Sequence, residues 1–256
     1  QALTMAMGFG CNAAGITGCR IIDSPRERLI AILTNNFMPC NGRLPLFITL
    51  ILLFLCSSQQ NAASYAVSAL ILTLFILLGI AMTFLSSYLL SATVLRGVSS
   101  SFTLEMPPYR RPQIGKVILR SVTDRTLFVL GRAAAVAAPA GLILWLLANV
   151  SSGGISLLSR ISLILDPLGR LLGMDGVILT AFILGLPANE IVLPIILMAY
   201  TAQGNLTGYS STLQLKQILT ANGWTWTTAV CVMLFSLMHW PCSTTLITIY
   251  KETKSA

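Results

Sequence analysis

Between Arg43 and Arg96 the chain runs for 52 residues without a charged side chain. A helix needs only about 20 apolar residues to cross roughly 30 Å of hydrocarbon, so two crossings and a turn fit within that stretch. The run is far longer than a barrel strand, and backbone groups in lipid must be paired within their own segment, which leaves helices. Composition agrees, since 55% of the 256 residues are hydrophobic, 9% are charged and mean hydropathy is +0.81, whereas a soluble domain carries roughly a quarter charged residues. The expected fold class is therefore all-α, a polytopic integral membrane helical bundle whose surroundings are a lipid bilayer. The net charge of +8 sits in loops beside apolar runs, where Lys and Arg set orientation. That excludes a nucleic-acid partner.

Several segments break the helical pattern. Residues 2–19 are apolar but interrupted by Gly8, Gly10, Gly15 and Gly18, so Gly8-Phe9-Gly10-Cys11-Asn12 predicts a break. Ser24-Pro25-Arg26-Glu27 predicts a helix start, with Ser24 as cap and Pro25 at the first helical position. That helix meets a second break at Phe37-Met38-Pro39-Cys40-Asn41-Gly42-Arg43. Spans are then expected over Leu44 to Cys56, Ala62 to Leu95, Thr126 to Val150, Gly176 to Tyr200 and Trp224 to Tyr250. Ser57 to Asn61 reads as an uncharged turn, and Arg96 to Arg125, with six basic residues against Glu105 and Asp124, as a cytoplasmic loop. Residues 155–175 fit an interfacial helix, a re-entrant piece or a pass. The chain starts at Gln1 inside an apolar run with no basic lead-in, as expected of an internal piece without a cleavable signal.

The breaks repeat. Gly8-Phe9-Gly10-Cys11-Asn12 lines up with Gly185-Leu186-Pro187-Ala188-Asn189, and Met38-Pro39-Cys40 with Trp240-Pro241-Cys242, in the same order. This predicts discontinuous helices and an inverted repeat, an architecture that places substrate sites at the breaks. Inversion requires an even number of passes in residues 151–223, met by a pass at 155–173 or by a re-entrant hairpin around Pro187. Each proline is expected to free the carbonyl four residues earlier, at Asn35, Ile183 and Leu237. Ordinary kinks re-satisfied by neighbouring helices are the simpler alternative.

No C-x-x-C occurs among the six cysteines, no G-x-x-x-x-G-K-[ST] loop is present, and a single histidine leaves no Ser-His-Asp or H-E-x-x-H arrangement, so no enzyme is expected of these residues. Cys19, Cys56 and Cys231 read as packing residues. Cys11, Cys40 and Cys242 differ because each adjoins a break and a polar neighbour, Asn12, Asn41 or Ser243. Sulfur beside amide oxygen and carbonyls suits a transient divalent transition-metal site. Glu190, next to Asn189 and the Pro187 break, is a functional candidate because an ionisable group in lipid is costly, with pairing to Arg43 or Arg132 as the structural alternative. Met38 and His239, beside the two Pro-Cys breaks, are weaker metal candidates.

These motifs resemble the membrane part of the ferrous iron transport protein B family. Gly8 to Asn12 with Arg26-Glu27-Arg28-Leu29 is similar to its first gate motif, and Phe37 to Cys40 through Arg43-Leu44-Pro45 to its second. Glu105-Met106-Pro107-Pro108-Tyr109-Arg110 resembles its basic loop, Ala188-Asn189-Glu190-Ile191-Val192 a third segment, and Pro241-Cys242 with Lys251-Glu252-Thr253 its C-terminal motif. The resemblance implies a multi-pass Fe(II) importer of the prokaryotic inner membrane, with Fe(II) as the transported ion and no bound cofactor. It divides the chain into a first gate repeat with spans (1–95), a basic cytoplasmic loop (96–125) and a second gate repeat with spans (126–256). Cys11, Cys40 and Cys242 match motif positions thought to meet the ion. The family's GTPase domain, its small accessory proteins and a homo-oligomer are the implied partners, and GTP hydrolysis is expected outside these residues. A nucleoside or other small-solute transporter of the same gate type, or a structural membrane subunit, is the alternative.

Overall fold

The computed structural model describes residues 2–55, 62–97, 113–120, 128–152, 155–201 and 212–253. Thirteen helices occur among them, with one two-stranded ribbon, Ser151–Ser152 against Ile155–Ser156. Cys56, the Ser57 to Asn61 turn, the Glu105 to Arg110 motif and Lys254 lie outside the described residues.

The first unit is a hairpin. Helix α1 (Ala2–Gly10) and helix α2 (Asn12–Gly18) are separated by Cys11 alone, whose extended backbone (φ −156°, ψ 125°) turns the chain back. A Cβ placed on Gly18 would meet Met7 and Thr4, and one on Gly15 would meet Thr4 O, so α2 runs back along α1. Helix α3 (Pro25–Thr34) starts as its sequence dictates, with Ser24 accepting from the Glu27 N–H. It tightens into a 3-10 turn at Asn35–Phe37 and stops before Pro39. Helix α4 (Leu44–Leu50) then resumes and ends in a wider π turn, Ile51–Leu55. The span expected over Leu44 to Cys56 is thus the second half of an interrupted helix, too short to cross lipid alone.

Helix α5 (Ala62–Ala92) is the long span expected, 31 residues with most of its large apolar side chains exposed, Leu70, Leu74 and Tyr88 among them. No aqueous surface accounts for such a face, whereas a lipid-facing one does. Helix α6 (Ile114–Arg120) is a short helix within the basic loop, and α7 (Phe128–Asn149) is the next apolar helix.

The second half departs most from expectation. Helix α8 (Leu157–Leu171) and helix α9 (Gly176–Leu184) meet at 108°. Gly173 ends α8 in the left-handed region (φ +73°) that only glycine adopts freely, while Asp175 caps α9 by accepting from Ile178 N at 2.7 Å. Helix α10 (Val192–Thr201) then runs back along α9, because Tyr200 at its end donates to the Asp175 carboxylate at the start of α9. The expected single span over Gly176 to Tyr200 is therefore a second hairpin, turning around Pro187 as the alternative expectation had it. Neither arm is long enough to cross, at about 1.5 Å per residue. Its base is completed by Trp224 Nε1, which donates to Tyr200 Oη at 2.9 Å.

Helix α11 (Thr212–Ala221), in what reads as a polar loop, is anchored by fully buried Leu215 and Leu219. Helix α12 (Trp226–Met238) and helix α13 (Ser243–Thr253) lie near one line across a four-residue break and together meet the length and hydropathy of a span. The principal core joins α4, α9, α10, α11 and α12, with Phe47, Ile178, Phe182, Ile196 and Val232 at its centre. Hairpin α1–α2 is thus followed by α3 and α4 across one break, and hairpin α9–α10 by α11 and then α12 and α13 across another.

Candidate functional site

The four breaks touch one another. In the first half Asn41 N–H donates to Gly10 O at 3.4 Å, so the α1–α2 tip meets the α3–α4 break. In the second half Ser243 N–H donates to Leu186 O at 2.8 Å and Ser243 Oγ to Pro187 O at 3.5 Å, so the α9–α10 tip meets the α12–α13 break. Contacts at the breaks also join the halves. Asn36 Nδ2 donates to His239 O at 2.7 Å, Asn189 Nδ2 lies 4.0 Å from Cys40 Sγ, and Glu190 packs over Gly42. Helix α5 closes on the same place, where a Cβ on Gly79 would meet Phe37 O, Pro39 and Leu237.

The two tips share a backbone. Ala188, which aligns with Cys11, has φ −153° and ψ 125° and opens the turn Asn189–Ile191, as Cys11 opens α2. An extended residue before a helix leaves the first amides of that helix facing the break.

The carbonyls expected to be freed by proline have all found donors. Asn35 O accepts from Met38 N–H, Ile183 O from Leu186 N–H, and Leu237 O from Arg43 Nη1 at 3.4 Å. The prolines sit at the ends of helices rather than inside them, so 3-10 turns or a side chain take up the slack.

The thiols are placed differently from one another. Cys11 is exposed at its tip, Cys40 is buried, and Cys242 is half-buried with its sulfur 3.1 Å from Thr245 Oγ1. Cys19 is fully buried and bonds Gly15 O, as befits a packing residue. Cys231 packs beside Gly173. Among the described residues no three His, Cys, Asp or Glu side chains converge as a closed metal centre.

The amides are largely committed to backbone. Asn12, buried, faces Gly8 O (3.1 Å) and Met38 O (3.3 Å) with its side-chain amide, whose nitrogen is assigned to that side because both partners are acceptors, and its backbone carbonyl accepts from Asn35 Nδ2 at 3.0 Å. Asn35 wedges between α1 and α2 because the facing positions are glycine, its Oδ1 being 2.7 Å from where a Cβ would stand on Gly8 or Gly15. Asn41 is exposed and contributes its backbone. Met38 is fully buried in packing. His239 donates from Nδ1 to Ser236 O and lies in an aromatic box of Phe182, Phe235 and Trp240, with centroids 4.9–6.2 Å apart, so its ring is positioned by packing. Glu190 is exposed and forms no ion pair with Arg43, while the side chain of Arg132 lies outside the described residues.

Sequence reasoning treated Arg43 as a charge at the edge of a span. It is instead fully buried, donating from Nη1 to Asn36 O at 2.8 Å and from Nη2 to Asn36 Oδ1 at 3.2 Å, with Nε unpartnered. The Asn35-Asn36 pair, two amides in an apolar segment just before Pro39, was the available signal for this polar node.

Fold and site together define a class: an α-helical membrane protein built around interrupted helices whose breaks meet. Residues 72–124 match the family model described as "Ferrous iron transport protein B C terminus", and residues 130–256 match one described as "Nucleoside recognition". The chain belongs to the ferrous iron transport protein B family. It is 30% identical over 263 residues to the "Fe(2+) transporter FeoB" of Staphylococcus aureus, covering 99% of this chain and 36% of that protein. To the protein of the same name in Methanocaldococcus jannaschii it is 26% identical over 265 residues (98% and 37%), and to that of Legionella pneumophila 33% over 150 (59% and 19%). The chain thus spans little more than a third of the relatives it matches end to end. No solved structure matches it.

Proposed function

We propose that this chain is the membrane gate of a ferrous iron importer, with Fe(II) crossing where the four breaks meet. The observation that carries this reading is the contact of each hairpin tip with an interrupted helix, with Cys40, Asn189 and Cys242 at the seams. The two hairpins enter the membrane and turn back, so that their tips meet the breaks inside it. Non-helical backbone persists at membrane depth only when buried in protein or lining a cavity, and these breaks pack against one another, with Met38, Pro39, Cys40 and His239 buried and Cys11, Asn41 and Glu190 left open. Sulfur and amide oxygen bind a divalent transition ion as substrate, and a conducting site must also release it. Weak ligands from several breaks meet both demands better than a closed centre.

In this reading Cys11, Asn12, Cys40, Asn41, Asn189, Glu190 and Cys242 mark the path. Gly8, Gly10, Pro39, Pro187 and Pro241 shape the breaks, while Met38 and His239 support them by packing. Residues 1–95 and 126–256 act as two gate repeats of opposite orientation about the basic loop. The protein resides in the cytoplasmic membrane, and a GTPase domain and small accessory proteins of the same system drive or regulate it. The "Nucleoside recognition" match over residues 130–256 favours a second reading, a gate for nucleosides or similar solutes.

One assay separates them: anaerobic Fe(II) uptake by the complete protein, with nucleoside uptake in parallel. Cys40→Ala and Cys242→Ala are expected to lower Fe(II) uptake at least tenfold at matched membrane levels, with Cys11→Ala affected less. Full uptake in all three variants defeats the metal path, and nucleoside uptake in its place selects the second reading.

A further inference from the structure

Arg43 is the feature that the transport reading leaves unexplained. Its guanidinium is wholly buried, no ion pair neutralises it among the described residues, and one of its N–H groups has no acceptor. An arginine in this setting keeps its charge. Breaking or omitting the partner of a buried charge is costly, so the position calls for a reason.

The acceptors it does have supply one. Asn36 O belongs to the 3-10 turn that ends α3, and Leu237 O to the last turn of α12. Both are C-terminal carbonyls of interrupted helices, one from each half. The end of a helix carries partial negative charge, and the C-terminal ends of broken membrane helices are places where cations are held. The Arg43 backbone N–H donates to Cys40 O at 2.9 Å, and the Asn36 side chain joins the guanidinium to the His239 carbonyl, three residues before Cys242. The charge therefore sits among the same donors that a passing divalent cation needs.

Resting on that transport reading, we propose that Arg43 is a tethered cation that occupies the C-terminal carbonyls of α3 and α12 and closes the path, and that an ion advances past Cys40 and Cys242 only after the guanidinium swings away. The arrangement described is then the shut state. Two like charges cannot share these carbonyls at close range, so displacement of one by the other makes a gate without a separate lid.

The complete protein is tested as wild type, Arg43→Gln and Arg43→Lys. Two readouts are taken: anaerobic Co(II) binding, followed by thiolate-to-cobalt charge-transfer absorption, and resting Mn(II) entry into proteoliposomes loaded with a metal-quenched dye. Arg43→Gln is expected to bind Co(II) at least tenfold tighter and to leak Mn(II) at least fivefold faster, whereas Arg43→Lys, which keeps the charge, stays within threefold of wild type. A folded Arg43→Gln protein with unchanged affinity and leak overturns the proposal, as does a Lys variant that behaves like Gln. Should Arg43→Gln fail to fold, Asn36→Asp, which gives the guanidinium a carboxylate to hold it shut, is expected to lower driven Fe(II) uptake at least fivefold, and unchanged uptake overturns the proposal. Wild-type Fe(II) uptake with Arg43 variants that match it refutes the plug alone. A wild type that carries no divalent cation, with tighter Co(II) binding after Arg43→Gln, refutes the transport reading alone.

Discussion

The two hairpins reach the same place by different means. In α1–α2 the contact is held near the tip: Asn12 and Asn35 stitch backbone to backbone, and Gly8 and Gly15 make room for the wedge. In α9–α10 it is held at the base, by the Asp175–Tyr200–Trp224 chain, and along apolar arms buried on nearly every side. Their tips nonetheless share one backbone conformation, with the exposed thiol of Cys11 where the other carries the methyl of Ala188. The shape of a tip is therefore separable from its chemistry. The first hairpin is a polar clasp with sulfur at its turn, and the second is an apolar strut that presents Asn189.

Breaking the clasp should have the largest effect. Gly8→Leu or Gly15→Leu drives a side chain into the Asn35 amide and is expected to cost more than about 3 kcal/mol, seen as loss of folded protein on size-exclusion chromatography in detergent. Gly10→Ala, where nothing stands within 4 Å of the new Cβ, is expected to change stability by less than about 1 kcal/mol. A Gly8 variant as stable as the Gly10 variant would show that the wedge is not holding α1 to α2.

Next comes the base of the strut. Tyr200→Phe leaves Asp175 and Trp224 without their shared partner, and about 2 kcal/mol of thermal stability is expected to be lost. Asp175→Asn should cost less, because the amide oxygen still caps α9. Smaller again is Ala188→Cys, which puts sulfur on the second tip without changing its backbone. Stability within about 1 kcal/mol of wild type is expected, since the conformation already suits both residues. A larger loss would mean that the tips are alike only in their dihedral angles. The smallest effect belongs to Arg20→Ala. It removes the bidentate pair with Glu252 (2.6 and 2.7 Å) that ties the end of the first hairpin to α13, and with Arg20 largely solvent-exposed less than about 1 kcal/mol is expected from the melting curve.

The breaks themselves were legible in the sequence, and for local reasons. Glycine clusters and Met-Pro-Cys or Trp-Pro-Cys runs interrupt a helix wherever they fall, and Ser24-Pro25 starts one, so the interruptions at Cys11, Pro39, Pro187 and Pro241 all stand where the residues put them. What those breaks do was less legible. Gly176 to Tyr200 is largely apolar, with Asn189-Glu190 near its middle, and reads as one span or as a hairpin around Pro187 until Tyr200 is seen to bond Asp175. Helix α11 was signalled only by the spacing of Leu215 and Leu219, a single helical turn in a polar stretch. The burial of Arg43 was hinted at only by the Asn35-Asn36 pair, because a lone charge before an apolar run looks like a boundary, and one of its acceptors is 194 residues away.

The central claim is that each hairpin tip meets the break of an interrupted helix within its own half. Oxidative cross-linking of paired cysteines in native membranes tests it most directly, with the native cysteines replaced by serine. The pairs Gly10→Cys with Asn41→Cys and Leu186→Cys with Ser243→Cys join residues whose backbones are hydrogen-bonded, and both are expected to form disulfides on mild oxidation. Control pairs that join either tip to α5 near Tyr88 are expected to form none. Cross-links in both pairs, absent from the controls, are the result this account predicts. If neither pair forms a disulfide in protein that remains folded in the membrane, the breaks do not meet and the path described here does not exist.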